Sequence, residues 1–213
     1  FGTAGAQMYK GAALFHLQRY EQALAALQQA LEPVPGSNTP VKSSFVLMYE
    51  GASLFHLARY KEALEALDMS LRSDKADAFA LKYKGATLFH LEREVEALVP
   101  LEQALKSEPD DVFTLKYKGA ALVNLEEETE ALAALSKAHK LTPDDAFVLK
   151  YSGFALLNMR QYDAALVLLE QALQLEPGDG FALTLKRKIE KIIQYKNKLA
   201  QIEAAPSPRK AAR

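Results

Sequence analysis

Cysteine and tryptophan are both absent from the 213 residues, so nine tyrosines and ten phenylalanines supply all of the aromatic surface. The lack of cysteine excludes disulfide bonds, thiolate zinc sites and a cysteine nucleophile. No apolar run approaches the roughly eighteen residues that would cross a bilayer. The first fifteen residues, FGTAGAQMYKGAALF, also lack the features of a signal peptide. A cytoplasmic protein without a membrane segment is therefore the default expectation.

The chain carries a net charge of −1, but this charge is unevenly distributed. From Gly180 onward there are nine lysines and arginines against two glutamates, giving +7, so residues 1–179 carry −8. A basic end on an acidic body is one form that an interaction surface takes. A solvated last helix with a disordered tail has the same composition, so both interpretations stay open.

An internal repeat dominates the sequence. The stretch YKGAALFHLQRY at residues 9–20 returns in related form at Tyr49, Tyr83, Tyr117 and Tyr151. Its glycines are Gly11, Gly51, Gly85, Gly119 and Gly153, which lie 40, 34, 34 and 34 residues apart. When the glycine is numbered repeat position 8, position 20 is alanine in every copy, and position 32 is proline in every copy except Lys75. This pattern resembles the tetratricopeptide repeat, a helix–turn–helix unit of about 34 residues.

The resemblance implies an all-α, right-handed α-solenoid of five such units followed by a C-terminal capping helix, with the first helices lining a concave groove. The predicted units cover residues 4–37, 44–77, 78–111, 112–145 and 146–179. An inserted loop is predicted at 38–43, the capping helix at 180–204 and a disordered basic tail at 205–213. The apolar face of the capping helix is expected to cover the last unit.

Helical periodicity supports the same assignment without the resemblance. Ala23, Leu27 and Ala30 fall on one stripe of a helix, and the small residues on that stripe allow two helices to pack closely. The segments EPDD, TPDD and EPGDG predict a helix stop followed by an aspartate that caps the next helix. Pro100 falls inside a predicted second helix, so a kink or a late helix start is expected there.

Several letters recur on the face of the first helices that the resemblance assigns to the groove. Tyrosine repeats at position 6, histidine or asparagine at position 13, and lysine at position 5 of the last three units, while phenylalanine marks position 2. The predicted groove residues are Tyr49, Tyr83, Tyr117, Tyr151, His56, His90, Asn124, Asn158, Lys82, Lys116, Lys150, Phe79, Phe113 and Phe147.

Two interpretations of these letters remain open. Small alanines at position 9 would leave room for a bound chain, and the lysines would make the groove basic, which favours an acidic or carboxylate-bearing peptide. Alternatively, tyrosine and phenylalanine at these positions pack between adjacent first helices, because duplication repeats every face whether or not it binds a ligand. The carboxylate clamp of chaperone-binding relatives is absent, since Ala86 and Ala120 replace its asparagines.

No residue constellation typical of an enzyme is present. The groove histidines occur once per unit, roughly 10 Å apart, which is too far for one metal ion to bridge. No phosphate-binding loop occurs, because each repeat glycine lies alone within a helix. We therefore expect no catalysis, no cofactor and no metal.

The sequence predicts a non-enzymatic protein-interaction scaffold that holds an extended acidic peptide or a partner helix in its concave groove. One alternative is a solenoid that assembles into homo-oligomers through its ends or its C-terminal helix. Another is a binder of single-stranded nucleic acid, with aromatic rings on the bases and lysines on the phosphates. The acidic net charge argues against the latter, since nucleic-acid readers are generally basic.

Overall fold

A computed structural model of the chain describes residues 3–32 and 43–204. These ranges contain eleven α-helices and no strand. The helices are α1 (Thr3–His16), α2 (Tyr20–Leu31), α3 (Ser44–His56), α4 (Tyr60–Ser73), α5 (Ala78–His90), α6 (Glu94–Ser107), α7 (Val112–Asn124), α8 (Glu128–Leu141), α9 (Ala146–Asn158), α10 (Tyr162–Leu175) and α11 (Gly180–Ala204). The predicted inserted loop at 38–43, apart from Ser43, and the predicted tail at 205–213 lie outside the described residues.

The first ten helices form five hairpins that stack in chain order. Within each hairpin the two helices pack along their length, and the second helix of each hairpin packs against the first helix of the next. This arrangement is an α-solenoid, so the predicted fold class is confirmed. The boundaries assigned to the individual units run through the loops between helices and stay predictions.

The repeat glycine sets the distance between the two helices of a hairpin. A Cβ atom added to Gly119 would lie 2.5 Å from Cγ of Leu135 and 3.3 Å from the carbonyl oxygen of Ala131. Ala131 and Leu135 are themselves fully buried on the facing helix. The predicted close approach of small residues is confirmed, because no larger residue fits without moving the helices apart.

Aspartates cap the first helices, as the sequence predicted. The carboxylate of Asp111 accepts a hydrogen bond of 2.8 Å from the backbone N–H of Thr114, and Asp77 and Asp145 cap α5 and α9 in the same way. Where Lys75 replaces the proline, the side chain of Asp74 accepts a 3.1 Å bond from the N–H of Ala76. This aspartate turn reverses the chain without proline.

The turn inside each hairpin contains a left-handed residue that sequence patterns did not anticipate. These residues are Gln18, Ala58, Glu92, Glu126 and Arg160, with φ between 57° and 62°. In the second hairpin, the N–H of Arg59 donates to the carbonyl of Leu54 at 2.9 Å and that of Ala58 to Phe55 at 3.0 Å. The paired bonds satisfy the last carbonyls of the helix, although no glycine is present at the left-handed position.

Pro100 does not delay its helix. α6 begins at Glu94 and continues through Pro100 to Ser107, so the expected late start is wrong. Proline lacks an N–H and leaves the carbonyl four residues earlier without its helical donor. That carbonyl belongs to Glu96, an exposed residue, so water can take the place of the missing donor.

The capping helix covers the last hairpin with only part of its length. Leu185 and Ile189 of α11 are buried against α9 and α10, whereas Leu199 and Ile202 are 57% and 62% exposed. The expectation that the whole apolar face covers the last unit is therefore wrong beyond about Ile193. Among the described helices, none combines the length and the apolar character required to cross a membrane.

Candidate functional site

The predicted ligand-binding residues lie on the first helices of the second to fifth hairpins, α3, α5, α7 and α9. Each of α1, α3, α5, α7 and α9 contacts the next odd-numbered helix. Within the described ranges, no two second helices, α2 to α10, are in contact. A row of helices that touch on one side and separate on the other must curve, so the first helices line the inner face of the solenoid.

Aromatic rings from successive units form one continuous cluster along this inner face. The ring centroid of Phe55 lies 5.4 Å from that of Tyr83 in the next unit and 6.0 Å from that of Tyr117 in the unit after it. Phe15 and Phe89 make the corresponding contacts one unit earlier and one unit later. Edge-to-face packing of this kind joins three successive units in each case.

The tyrosines of position 6 pack mainly within this cluster and have little contact with solvent. Tyr83 and Tyr117 are 7% exposed, and Tyr49 and Tyr151 are half-buried. Burial raises the pKa of Tyr151 to about 12 and raises that of Tyr83 and Tyr117 still further. All three phenols are therefore neutral members of the packing between units.

The phenylalanines of position 2 form the accessible part of the cluster. Phe79, Phe113 and Phe147 are half-buried. The ring centroid of Phe113 lies 4.9 Å from both Tyr83 and Tyr117, and that of Phe147 lies 5.2 Å from Tyr117. These rings each present part of an apolar surface on the inner face and use the rest to join two tyrosines.

The alanines of position 9 do not leave space for a ligand. Ala52, Ala86 and Ala120 have no exposed surface, because the aromatic side chains of neighbouring units cover them. The expectation that small residues beside large tyrosines create room is wrong. Instead, the small side chains allow the aromatic cluster to close over the helices.

The histidines of position 13 hold adjacent units together. Nε2 of His56 lies 3.1 Å from the hydroxyl of Tyr83, and Nε2 of His90 lies 3.1 Å from that of Tyr117. Each imidazole also stacks on a tyrosine of the preceding unit. The ring centroid of His56 lies 4.2 Å from that of Tyr20 and that of His90 lies 4.6 Å from that of Tyr60, and the rings are nearly parallel in both cases. Burial lowers the pKa of both imidazoles, which favours the neutral rings.

Asparagine at position 13 belongs to a different junction between units. Nδ2 of Asn124 donates to Oε1 of Glu94 at 2.9 Å. Glu94 occupies the place that Tyr20 and Tyr60 hold in the earlier units, so this departure from the repeat pattern has a partner in the next unit. Asn158 ends α9 and is exposed on the inner face.

The lysines of position 5 are paired with the aspartates that cap the next first helix. Nζ of Lys82 lies 3.0 Å from Asp111 and that of Lys116 lies 3.1 Å from Asp145, while Lys150 pairs with Asp179. Burial alone would raise the pKa of Asp111, but hydrogen bonds from Thr114 and Lys82 outweigh it and lower the pKa. The predicted basic groove is therefore corrected, because each ammonium group is already neutralised by a carboxylate.

Two kinds of contact were not predicted from the sequence: those between position 17 of one unit and position 13 of the next, and those between the lysines and the capping aspartates. Both kinds nevertheless follow a regular spacing in the sequence. Tyrosine at position 17 precedes histidine at position 13 of the next unit twice, and Glu94 precedes Asn124. Lys82, Lys116 and Lys150 each lie 29 residues before their aspartate. Both regularities reflect contacts between neighbouring units.

Metal binding finds no support in the described part of the chain, where no three histidine, aspartate or glutamate side chains lie close enough to hold an ion. The inner face instead offers three kinds of group to a ligand. These are the half-buried phenylalanine rings, the exposed residues His56, Asn124 and Asn158, and Phe181 at the start of α11, which is 40% exposed. This combination can contact apolar side chains and hydrogen-bond a peptide backbone.

Comparison with known proteins gives a family match for the first unit. A tetratricopeptide repeat family model matches residues 2–38. A search of curated proteins finds no match.

Solved structures of the same fold extend the comparison to nearly the whole chain. YrrB, described as a TPR protein with an unusual peptide-binding site, is 23% identical with a TM-score of 0.64, over 85% of this chain and 90% of its own. TTC0263, a TPR protein from Thermus thermophilus, is 20% identical with a TM-score of 0.60, over 90% and 99%. MamA is 19% identical with a TM-score of 0.63, over 82% and 92%. At these identities the likeness establishes the fold.

Proposed function

Because the chain is a tetratricopeptide-repeat solenoid, we propose that it is a non-enzymatic scaffold that binds a segment of a partner protein on the inner face of its first helices. The observation that carries this proposal is the alternation of half-buried phenylalanine rings with exposed histidine and asparagine tips along that face. YrrB, a protein of the same fold, is described as having a peptide-binding site. That description supports the class of ligand without specifying its sequence.

The paired lysines change the expected ligand. An acidic peptide would have to compete with Asp111, Asp145 and Asp179 for the ammonium groups that those carboxylates already neutralise. We therefore favour an extended segment or a helix that places apolar side chains on Phe79, Phe113 and Phe147. The same pairs weaken the nucleic-acid alternative, because these lysines would be needed to contact phosphates.

Exposed asparagines allow a test that spares the core. The variant Asn124→Arg/Asn158→Arg places two long cationic side chains on the inner face. In Gln29→Arg/Gln103→Arg the same change falls on exposed positions of the second helices α2 and α6. We expect wild type and the outer variant to capture the same partner from a nuclease-treated lysate of the source organism, and the inner variant to lose it. Equal capture by all three forms would exclude the inner face as the binding surface.

A second candidate function, self-assembly, is favoured by the far end of α11. Tyr195, Leu199 and Ile202 are 74%, 57% and 62% exposed. With Ile192 they are spaced by three, four and three residues, which is the seam of a coiled coil. An exposed seam of this kind favours pairing with the α11 of a second copy.

Self-assembly is measured separately from partner binding. Light scattering after size-exclusion chromatography at increasing protein concentration should show a rising mass. The variant Leu199→Glu/Ile202→Glu should stay at the monomer mass of 23.5 kDa. A wild-type protein that keeps the monomer mass at every concentration would rule out this second function.

A further inference from the structure

The outer side of the solenoid has its own row of contacts between units. Position 25 of each second helix faces position 7 of the next first helix. At three of these junctions the two residues form an ion pair: Lys84 with Asp68 at 2.7 Å, Lys118 with Glu102 at 2.9 Å, and Lys186 of α11 with Glu170 at 2.8 Å. A polar bridge thus spans the outer cleft at these three junctions.

The junction between the fourth and fifth units breaks this rule. Serine occupies both places, as Ser136 on α8 and Ser152 on α9. Serine side chains are too short to span the distance that a lysine and a carboxylate cover. One helical turn further along α8, His139 stands where the other four units have leucine. Three substitutions at one junction thus remove both the ion pair and an apolar side chain.

A cavity of about 390 Å³ lies at this junction between α8, α9 and α10. Four leucines make up half of its eight lining residues, and the two serines, His139 and Lys140 supply the polar atoms. A second cavity of about 380 Å³ adjoins it and shares His139 and Leu149. Mostly apolar concavities of this size with a few convergent polar groups are typical of small-molecule sites.

The polar groups at this cavity are unlike those of the other outer clefts. Nδ1 of His139 is buried and has no hydrogen-bond partner within the described residues. Lys140 adds a cation, and none of the eight residues lining the larger cavity carries a carboxylate. The cleft between the first and second units measures about 200 Å³ and is lined by Glu50, Glu62 and Glu65. The cleft between the second and third units measures about 480 Å³, and the Lys84–Asp68 ion pair forms part of its lining. The charge of the larger cavity therefore suits an anionic group, whereas Asp144 lines the adjoining one.

We propose that this outer cavity binds a small amphipathic carboxylate, with its apolar chain among the leucines and its carboxylate at His139 and Lys140. The leucines favour the chain through the hydrophobic effect. The buried imidazole nitrogen gains a hydrogen-bond partner, and the lysine offsets the charge of the ligand. The site lies on the opposite side of the solenoid from the inner face proposed for partner binding, so the two functions are independent.

Octanoate is a suitable probe, because it combines a flexible apolar chain with one carboxylate. Titration into the ¹⁵N-labelled full chain should produce saturable shifts in the amide resonances of Ser136, His139 and Ser152. The uncharged 1-octanol should bind more weakly by about tenfold, since it lacks the charge that Lys140 and His139 contact. Equal binding of 1-octanol would overturn the assigned role of the carboxylate.

The chain supplies matched variants that give the cavity the polar groups of the neighbouring junctions. Ser136→Glu/Ser152→Lys rebuilds the ion pair present there, and His139→Leu restores the leucine of the other units. We expect both variants to keep or raise the unfolding temperature. Octanoate affinity should fall about tenfold or more, because the first variant places a carboxylate beside the ligand and the second removes the imidazole. Gln22→Glu/Gln29→Lys, on exposed positions of α2, controls for the added charges and should bind octanoate as wild type does.

Two results would overturn the proposal. One is an absence of saturable shifts at the cavity residues in wild type at millimolar octanoate. The other is equal affinity of wild type and Ser136→Glu/Ser152→Lys, which would place any binding elsewhere. Neither outcome affects the inner-face variants, so the two proposals fail or stand separately.

Discussion

The first three units and the last two use different chemistry on the same backbone. In the first three, stacked rings join neighbours: His56 lies on Tyr20 and His90 on Tyr60, and each imidazole also meets a tyrosine hydroxyl of the next unit. From the third unit onward, Asn124 bonds Glu94 and the lysines pair with capping aspartates. Neighbouring units can therefore be joined by apolar ring contacts or by polar pairs. In both cases the two residues that contact each other differ together from one junction to the next.

Removal of one ring from the aromatic cluster should cause the largest decrease in the free energy of unfolding. Phe55 contacts rings in three units, whereas Val123 holds the same repeat position in the fourth unit without an aromatic side chain. We expect Phe55→Ala to lower the free energy of unfolding by about 3–5 kcal/mol and Val123→Ala by about 2 kcal/mol. Urea denaturation followed by circular dichroism measures both. Similar losses would show that the aromatic cluster adds nothing beyond ordinary burial.

Transplanting a junction tests whether its two residues act as a pair. Tyr60→Glu and His90→Asn together place the Glu94–Asn124 pair at the preceding junction. Each single change removes a stacked ring, and the double variant should recover about 0.5–1.5 kcal/mol relative to the sum of the single losses. A double-mutant cycle in urea gives this coupling energy. Additive losses would mean that the co-occurrence of these residues is a relic of duplication.

The lysine–aspartate pairs should contribute less than the rings. Lys116→Met introduces the residue found at the same position in the first two units and leaves the cap at Asp145 intact. We expect a loss of about 0.5–1.5 kcal/mol, since a partly buried charge-assisted hydrogen bond is removed. The loss should shrink in high salt. An unchanged urea midpoint would show that Asp145 stabilises α9 only through its cap.

The two regions should also lose stability in different pH ranges as acid is added. We expect this change in the free energy of unfolding to be smaller than those of the three preceding predictions. Burial lowers the pKa of His56 and His90 in the folded state, so the unfolded chain binds more protons as pH falls below about 6.5. Their contribution is fully present above that pH and is lost below it, by a modest amount because the rings are partly exposed. Asp111 and Asp179 also have lowered pKa values, so their contribution is lost only below about pH 4.

Unfolding free energies measured from pH 8 to pH 3 would separate the two ranges. The variant His56→Asn/His90→Asn should remove the decline between pH 7 and 5 and keep the decline at lower pH. A decline near pH 6 that persists in this variant would assign it to other groups.

Much of the fold could be predicted from local patterns. Alanine and leucine spacing identified the helices, Gly119 and its equivalents marked the close approach of paired helices, and Asp111 and Asp145 were recognised as caps. These features depend on residues within one unit. At Pro100 the predicted alternative of a late helix start was wrong, because α6 begins at Glu94 and continues through the proline.

The candidate site was less predictable. The tyrosines and lysines of the first helices were predicted to face a ligand in the groove, but they contact residues of other units. Whether Lys82 points toward a ligand or toward Asp111 depends on how far one unit rotates relative to the next. The residue pattern within one unit does not specify that rotation.

By itself the sequence determined the period of 34 residues, the helix pairs and their caps, because each follows from contacts between residues close along the chain. Only the tertiary structure determined which repeated side chains contact a neighbouring unit and which remain accessible to a ligand. In the folded chain the lysines pair with aspartates, Ala86 and Ala120 are covered, and a cavity lies beside His139. These outcomes depend on the stacking of units, which brings together side chains about one repeat apart in sequence.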